Sequence, residues 1–190
     1  IVKILKVKNP QIVLLENVRN FKNHDNGRTF STVKKILEEE CGYSVYWDVF
    51  NTANFGLPQD RRRVYILGLK TKPSKNFEFT EKIVAETLDE HIKNTGLNKY
   101  KDTRSILSKN VNEKYYLSNK IKKTILSSGT GGFHAKPEIN KPKARTLTAT
   151  MVKMHRAGQD NYYSDEFTKL TKVESKKYED FIVPKSKYNS

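Results

Sequence analysis

"NPQIVLLENVRNF", residues 9–21, sets the fold to look for. Just after Pro10 a continuous apolar run, Ile12 to Leu15, leads into Glu16-Asn17-Val18. An unbroken run, rather than an alternating one, fits a strand buried on both faces, as in a parallel sheet covered by helices. The carboxylate then falls at the strand's C-terminal end, where open α/β sheets bind ligands. Standing alone, Glu16 reads equally well as a surface acid in the loop that follows.

The chain downstream supplies the rest of such a sheet. "NHDNG" (23–27) has loop composition, and "RTFSTVKKILEEECGY" places Phe30, Val33 and Leu37 at helical spacing, with Ile36 beside them and Gly42 as a stop. "YSVYWDVFNT" (43–52) is β-branched and aromatic and reads as a second strand. "ANFGLPQD" is turn chemistry, and "RRVYILGLK" (62–70) is a third strand. Strand, helix, strand, turn, strand predicts one edge of a doubly wound, Rossmann-like α/β domain. After "TKPSK" (71–75) the apolar periodicity weakens and short elements alternate with loops. The expected division is therefore residues 1–71 and 72–190, the second part an irregular α+β domain. Near its end, "DEFTKLTKVESKKYEDFIV" (165–183) reads as partly helical.

Bulk properties narrow the partners. The 190 residues suffice for one ordinary domain or two small ones. Hydrophobic residues make up 36%, and mean hydropathy is −0.74, which argues against one compact core along the whole length. Lys and Arg outnumber Asp and Glu by 36 to 21, a formal charge of +15 with a pI near 9.7. Such a surplus favours a polyanion, nucleic acid first, because a phosphate backbone rewards dispersed cations through counterion release. The plainer alternative is a basic surface that only confers solubility. The single cysteine, Cys41, excludes an intrachain disulfide and a cysteine-based metal site, and fits a reducing compartment. No long apolar run, signal peptide or lipidation motif occurs, so neither a membrane nor a metal is expected. The opening "IVKILKVKNP", without Met, reads as the middle of a longer protein.

A second cluster faces the same question as Glu16. Gln59, Arg61 and Arg63 stand just before the third strand. In extended chain Arg61 and Arg63 project to one face and Arg62 to the other, because side chains alternate with period two. Two guanidiniums on one face repel unless an anion lies between them: a carboxylate, a phosphate or a polarised carbonyl oxygen. A solvated edge strand with a basic cluster is the alternative.

Taken in order, Glu16-Asn17-Val18, the helix, the "GYSV" strand, the "NFGLPQ" turn and Gln59-Asp60-Arg61-Arg62-Arg63 closely resemble the DNA (cytosine-5)-methyltransferase family over about residues 1–70. That family carries an ENV motif at a strand end and a Q-x-R-x-R motif on the next hairpin. The resemblance implies transfer of a methyl group from S-adenosylmethionine to C5 of a cytosine everted from duplex DNA. Thiolate addition at C6 builds negative charge on N3 and O2. By motif position, Glu16 hydrogen-bonds or protonates N3. Arg63 stabilises charge at O2, and Arg61 supports the loop. Asn17, Val18 and Gln59 hold the base.

"KPKARTLTATMVKMHRAGQDNYY" (141–163) resembles part of the family's target-recognition region, with Thr146-Leu147 as its Thr-Leu pair. From Lys120 to Arg156 stand nine Lys or Arg and one acid, Glu138. Hydroxyls among cations suit phosphate and base contacts, which makes Arg145, Thr146, Leu147, Thr148, Lys153 and Arg156 the expected DNA-binding residues. A strand with threonines on its solvent face is the alternative. "SSGTGGF" (127–133) follows no clear strand and reads as a loop, His134 and His155 as surface residues, and Tyr115, Tyr116, Tyr162 and Tyr163 as packing residues.

Neither the family's Pro-Cys nucleophile motif nor its glycine-rich cofactor motif occurs in these residues. Cys41 follows Glu40 and reads as a structural thiol. Two expectations remain. One is a portion of a cytosine-5 methyltransferase, inactive alone, whose S-adenosylmethionine site lies mostly elsewhere and which needs a complementary fragment or subunit. The other is a stand-alone DNA-binding or regulatory remnant. A tRNA-methylating branch is a further variant, and the basic, Thr-rich second half favours duplex DNA over it. The resemblance implies bacterial restriction–modification and a cytoplasmic setting on the nucleoid.

Overall fold

The computed structural model describes residues 1–97, 99–100, 102–126, 138–149, 158 and 160–169. Its elements in chain order are α1 (Val2–Lys8), β1 (Ile12–Val18), α2 (Arg28–Lys35), β2 (Ser44–Asn51), β3 (Gln59–Asp60), β4 (Arg62–Leu69), α3 (Glu81–Thr95), α4 (Asn119–Ile125), β5 (Ala144–Arg145) and α5 (Asp165–Lys169). They fall into two compact units. The first joins residues 1–55 to 61–98 and the second joins 56–60 to 99–190. The units do not follow the change of composition near residue 72. Residues 72–98 pack with the first unit, where the N-terminus of α3 is tied to β2: Glu81 N–H donates to Asp48 Oδ2 at 2.8 Å.

Unit 1 is built on a three-stranded mixed sheet of order β1-β4-β2. β4 runs antiparallel to both neighbours, so β1 and β2 point the same way with β4 between them. One face carries Val13, Leu15, Val64, Ile66, Val45 and Val49. It packs against Leu5 of α1, Phe30 of α2, and Leu37 and Cys41 from the turn beyond α2. Val64 is fully buried because it lies on the central strand and on the covered face at once. The expected helix is present and continues past Lys35 as a π-helical turn, Ile36–Glu40, ending at Gly42 with φ 69°, a conformation that glycine adopts without strain. Cys41 is buried, as a structural thiol would be.

β1 departs from the expectation of burial on both faces. Among the described residues it pairs with β4 alone, and of its side chains Val13 and Leu15 reach the core. Ile12 and Leu14, on the alternate face, remain 64% and 58% exposed. An apolar run records that a strand can be buried twice, but a covering partner has to be present for burial to occur.

Unit 2 is the irregular α+β part. Its sheet is a short parallel pair in which Gln59 faces Ala144 and Asp60 faces Arg145. Among its described residues few apolar side chains are buried, Phe167 and Ile125 chief among them. The interior is instead closed by polar groups: Asn140, Thr103, Asp102 and Asp160 are all buried. Asn140 N–H donates to Tyr162 O at 2.8 Å, and its side-chain oxygen accepts Ser164 N–H at 2.7 Å. Thr103 N–H donates to Pro142 O at 2.9 Å. Asp102 takes Arg104 in a two-point contact, at 3.0 Å from Nε and 2.5 Å from Nη2. Tyr162 donates its hydroxyl to Asp160 Oδ2 at 3.3 Å, and among the described residues each buried polar side chain has a partner, the condition for its burial to be tolerated. Among the described residues no helix is long and apolar enough to cross a membrane.

Candidate active site

Glu16, Arg61 and Arg63 converge within unit 1. In the β1–β4 register Val18 faces Arg63 and Glu16 faces Tyr65, so Glu16 and Arg63 lie on the same sheet face, diagonally adjacent. One oxygen of Glu16, Oε1, accepts Arg63 Nε–H at 2.9 Å and lies 3.8 Å from Arg61 Nη2. Of the anions that could part the two guanidiniums, the fold thus supplies a carboxylate. Arg63 is only 18% exposed and also donates from Nη1 to Arg62 O at 2.8 Å, while Glu16 is 44% exposed. The guanidinium is fixed and the carboxyl is accessible. A charge-assisted contact of this kind holds both groups in one geometry more firmly than a neutral bond would.

The other expected residues are distributed differently. Val18 shares the face of Glu16 and pairs directly with Arg63. Asn17 alternates to the opposite face, where its Oδ1 accepts the N–H of Val18 at 2.8 Å. Gln59 belongs to unit 2 as part of the β3–β5 pair. Arg145 has its guanidinium turned inward: Nη1 donates to Glu138 O at 3.1 Å and to Asp160 O at 3.3 Å, and Nη2 lies 3.2 Å from Glu138 Oε2. Burial, partly offset by Glu138, lowers its pKa. Thr146 donates its hydroxyl to Asp60 O at 2.9 Å. Leu147, by contrast, is 67% exposed, and Thr148 is exposed beside it. Lys153, Arg156, His134, His155 and residues 127–133 lie outside the described residues.

Sequence patterns missed the group that sets Arg61 in place. Asn51 Oδ1 accepts the N–H of Ala53 and the N–H of Arg61, both at 3.2 Å, and Thr52 N–H donates to Arg61 O at 3.1 Å. These bonds close the neck of the loop between β2 and β4. Asn51 N–H itself donates to Glu81 Oε1 at 2.5 Å. An asparagine at the end of an apolar strand is the available signal, since its side chain mimics a turn. Asn51→Ala leaves two partly buried N–H groups unpaired, an expected loss of about 1–3 kcal/mol. It would be read as a lower urea midpoint for unit 1 at unchanged m-value.

The tyrosines of unit 2 give a pH test. Burial first, then Asp160, pushes Tyr162 up to about 12, and burial raises Tyr163 as well. A phenol is neutral when protonated, so a raised folded pKa means that the folded state resists ionisation. The associated stability is complete below the unfolded value near 10. It is lost as pH rises through about 12. Unit 2 should therefore lose structure in this window, with circular dichroism and tyrosinate absorbance changing together. Tyrosinate forming well below the loss of structure would contradict the burial.

A family model, C-5 cytosine-specific DNA methylase, matches residues 1–188. The chain belongs to this family. It is 36% identical over 163 residues to the Type II methyltransferase M.SsoII of Shigella sonnei, covering 80% of the chain and 39% of that protein. It is 40% identical over 129 residues to the Type II methyltransferase M.HaeII of Haemophilus aegyptius, covering 67% of the chain and 35% of that protein. The chain thus spans less than half the length of these relatives. The fold is shared with the S. pombe Dnmt2 methyltransferase at TM-score 0.58 and 18% identity, covering 90% of this chain and 48% of that one. It is also shared with the Entamoeba histolytica methyltransferase EhMeth, at TM-score 0.57 and 21% identity over 90% of this chain and 45% of that one.

Methyltransferases of this kind use S-adenosylmethionine, whose sulfonium centre is cationic. One cavity of unit 1 is lined by Arg19, Lys22 and Arg62 with Glu81, Asn51 and Asn54, and its three cations repel a sulfonium. Among the described residues no three of His, Cys, Asp and Glu gather to hold a metal.

Proposed function

We propose that this chain carries the carboxyl–guanidinium part of the active site, and the recognition part, of a DNA cytosine-5 methyltransferase. The observation that carries this is the single oxygen of Glu16 shared by Arg63 and Arg61 near the carboxyl end of β1. On cytosine, N3 and O2 are both bonded to C2 and share one edge of the ring. A carboxyl beside a guanidinium presents a group for N3 next to N–H donors for O2. When a thiolate adds to C6, a hydrogen bond or proton from Glu16 at N3 and the N–H groups of Arg63 at O2 offset the charge that develops there. Arg61 keeps the carboxyl in place, and Val18 borders the same face.

The thiolate and the methyl donor come from parts of the protein that these 190 residues do not contain, so the chain alone is expected to be inactive. The base reaches Glu16 only when everted from the duplex. In unit 2, exposed Leu147 and Thr148 are the residues best placed to touch DNA, with Arg145 as their scaffold. The likeness to bacterial Type II methyltransferases supports a role in restriction–modification. The exposed Ile12 and Leu14 on β1 favour a complementary methyltransferase segment, in the same or another polypeptide, over a stand-alone binding role. Mixing the chain with a polypeptide that bears the Pro-Cys and glycine-rich motifs should restore transfer of labelled methyl to duplex cytosine. Folded components that associate and bind duplex yet transfer nothing would refute the reading.

A further inference from the structure

Glu81, the first residue of α3, belongs to none of the motifs above, yet its bonds lead to the carboxyl–guanidinium cluster. The last register pair of β2 and β4 joins Asn51 to Arg62. Arg61 therefore lies just beyond the ladder, and other groups hold it. They come from residues 51 and 52: Asn51 Oδ1 accepts Arg61 N–H at 3.2 Å, and Thr52 N–H donates to Arg61 O at 3.1 Å. Arg63, by contrast, lies inside the ladder, with Val18 on one side and Phe50 on the other. Of the two guanidiniums beside Glu16, that of Arg61 is the one whose place depends on the end of β2.

That end is tied down from α3. Thr52 N–H points toward Arg61, so by the alternation of an antiparallel pair Asn51 N–H points away from β4. Among the described residues β2 is an edge strand, and an outward N–H at a sheet edge is unpaired unless something covers it. Glu81 Oε1 accepts it at 2.5 Å. Glu81 is itself fixed, because its own N–H donates to Asp48 Oδ2, earlier on the same strand, at 2.8 Å. Backbone and side chain of one residue thus close on β2 at two points, each with an ionised acceptor, which makes the stronger kind of hydrogen bond. With its backbone held, Asn51 keeps its side chain over the neck of the loop, where it meets Arg61. From there Arg61 Nη2 lies 3.8 Å from Glu16 Oε1. Every contact in this series lies inside unit 1.

We propose that Glu81 is a positioning residue for methyl transfer, holding the end of β2 so that Asn51 keeps Arg61 on the carboxyl of Glu16. The assignment rests on the reading of Glu16 as the group that meets N3, and deepens it. Glu81 touches no reacting atom, so its removal acts on the chemical step through Arg61.

The test uses the complemented enzyme with Glu81→Ala and Glu81→Gln, each alone and combined with Arg61→Ala. Single-turnover transfer at saturating duplex should slow about fivefold to tenfold in Glu81→Ala, the scale of one ordinary hydrogen bond. Duplex affinity should not change. Glutamine loses the charge but keeps an acceptor oxygen for Asn51 N–H, so Glu81→Gln should stay close to the wild-type rate. In the Arg61→Ala background, Glu81→Ala should cause no further slowing, because the two residues act in series. Equal slowing in both backgrounds makes Glu81 a merely structural residue and overturns the proposal. So does a wild-type rate in Glu81→Ala, a Glu81→Gln as slow as Glu81→Ala, or a loss of affinity in place of rate. Amide hydrogen exchange in the chain alone reads the clamp without catalysis. Arg61 N–H should exchange faster in Glu81→Ala, with the amide of Val64 on the core strand unchanged. An unaltered Arg61 amide overturns the proposal. Full-rate transfer in Glu16→Gln defeats the underlying reading instead, and the Arg61 amide would then still respond to Glu81→Ala.

Discussion

Glu16→Gln is expected to slow methyl transfer by about 10²- to 10⁴-fold in the complemented enzyme, the range supplied by a positioned acid or base. Glutamine keeps the size of the side chain, and its carbonyl still accepts Arg63 Nε–H, which lies 2.9 Å from Glu16 Oε1 in the wild type. The arginine should therefore stay in place, and duplex affinity should change little. What the amide cannot do is hold and transfer a proton at N3. Arg63→Ala removes the donors proposed for O2 and is expected to cost about 10²- to 10³-fold, the scale of one oxyanion donor. Single-turnover transfer of labelled methyl, measured beside duplex affinity, separates the chemical step from binding. Activity within a few-fold of wild type in both variants would remove these residues from the reaction.

Arg145→Ala is expected to unfold unit 2 rather than merely weaken DNA binding. Its guanidinium is 18% exposed and satisfies Glu138 and Asp160. Removing one member of a fully buried pair costs about 3–5 kcal/mol, because the other charge is stranded, and this partly buried pair sets that range as an upper bound. Here the lower end applies, since Lys141 Nζ remains 2.8 Å from Glu138 Oε2. The check is urea denaturation of Arg145→Ala, Glu138→Ala and the double variant. The pair should couple, with the double variant less destabilised than the sum of the singles. An unchanged urea midpoint, with a shallower salt dependence of duplex binding, would return Arg145 to the DNA-contacting surface.

These two residues show where pattern is informative and where it stops. Glu16 and Arg63 are legible because each stands at a fixed place on a strand, and the period of two fixes the face of each. Arg145 is equally basic and sits in an equally basic stretch, yet its partners Glu138 and Asp160 are 7 and 15 residues away in irregular chain. No periodicity announces a contact of that kind. The same holds for Asn51, whose side chain closes a loop on Arg61, 10 residues on. The described part of unit 2 is less legible than unit 1 because its interior is closed by Asn140, Thr103, Asp102 and Asp160, residues that composition assigns to the surface.

By itself the sequence determined the strand–helix–strand–strand order of unit 1, the faces of Arg61, Arg62 and Arg63, and the family motifs they belong to. Apolar periodicity is local, and a few consecutive side chains suffice to read it. Only the tertiary structure decided that β4 lies between β1 and β2, that Glu16 is the anion between the two guanidiniums, that Arg145 turns inward and that Arg62 faces a separate cationic cavity. Those outcomes depend on which distant segments come within hydrogen-bonding reach, and that reach is set by strand pairing and packing of the whole unit.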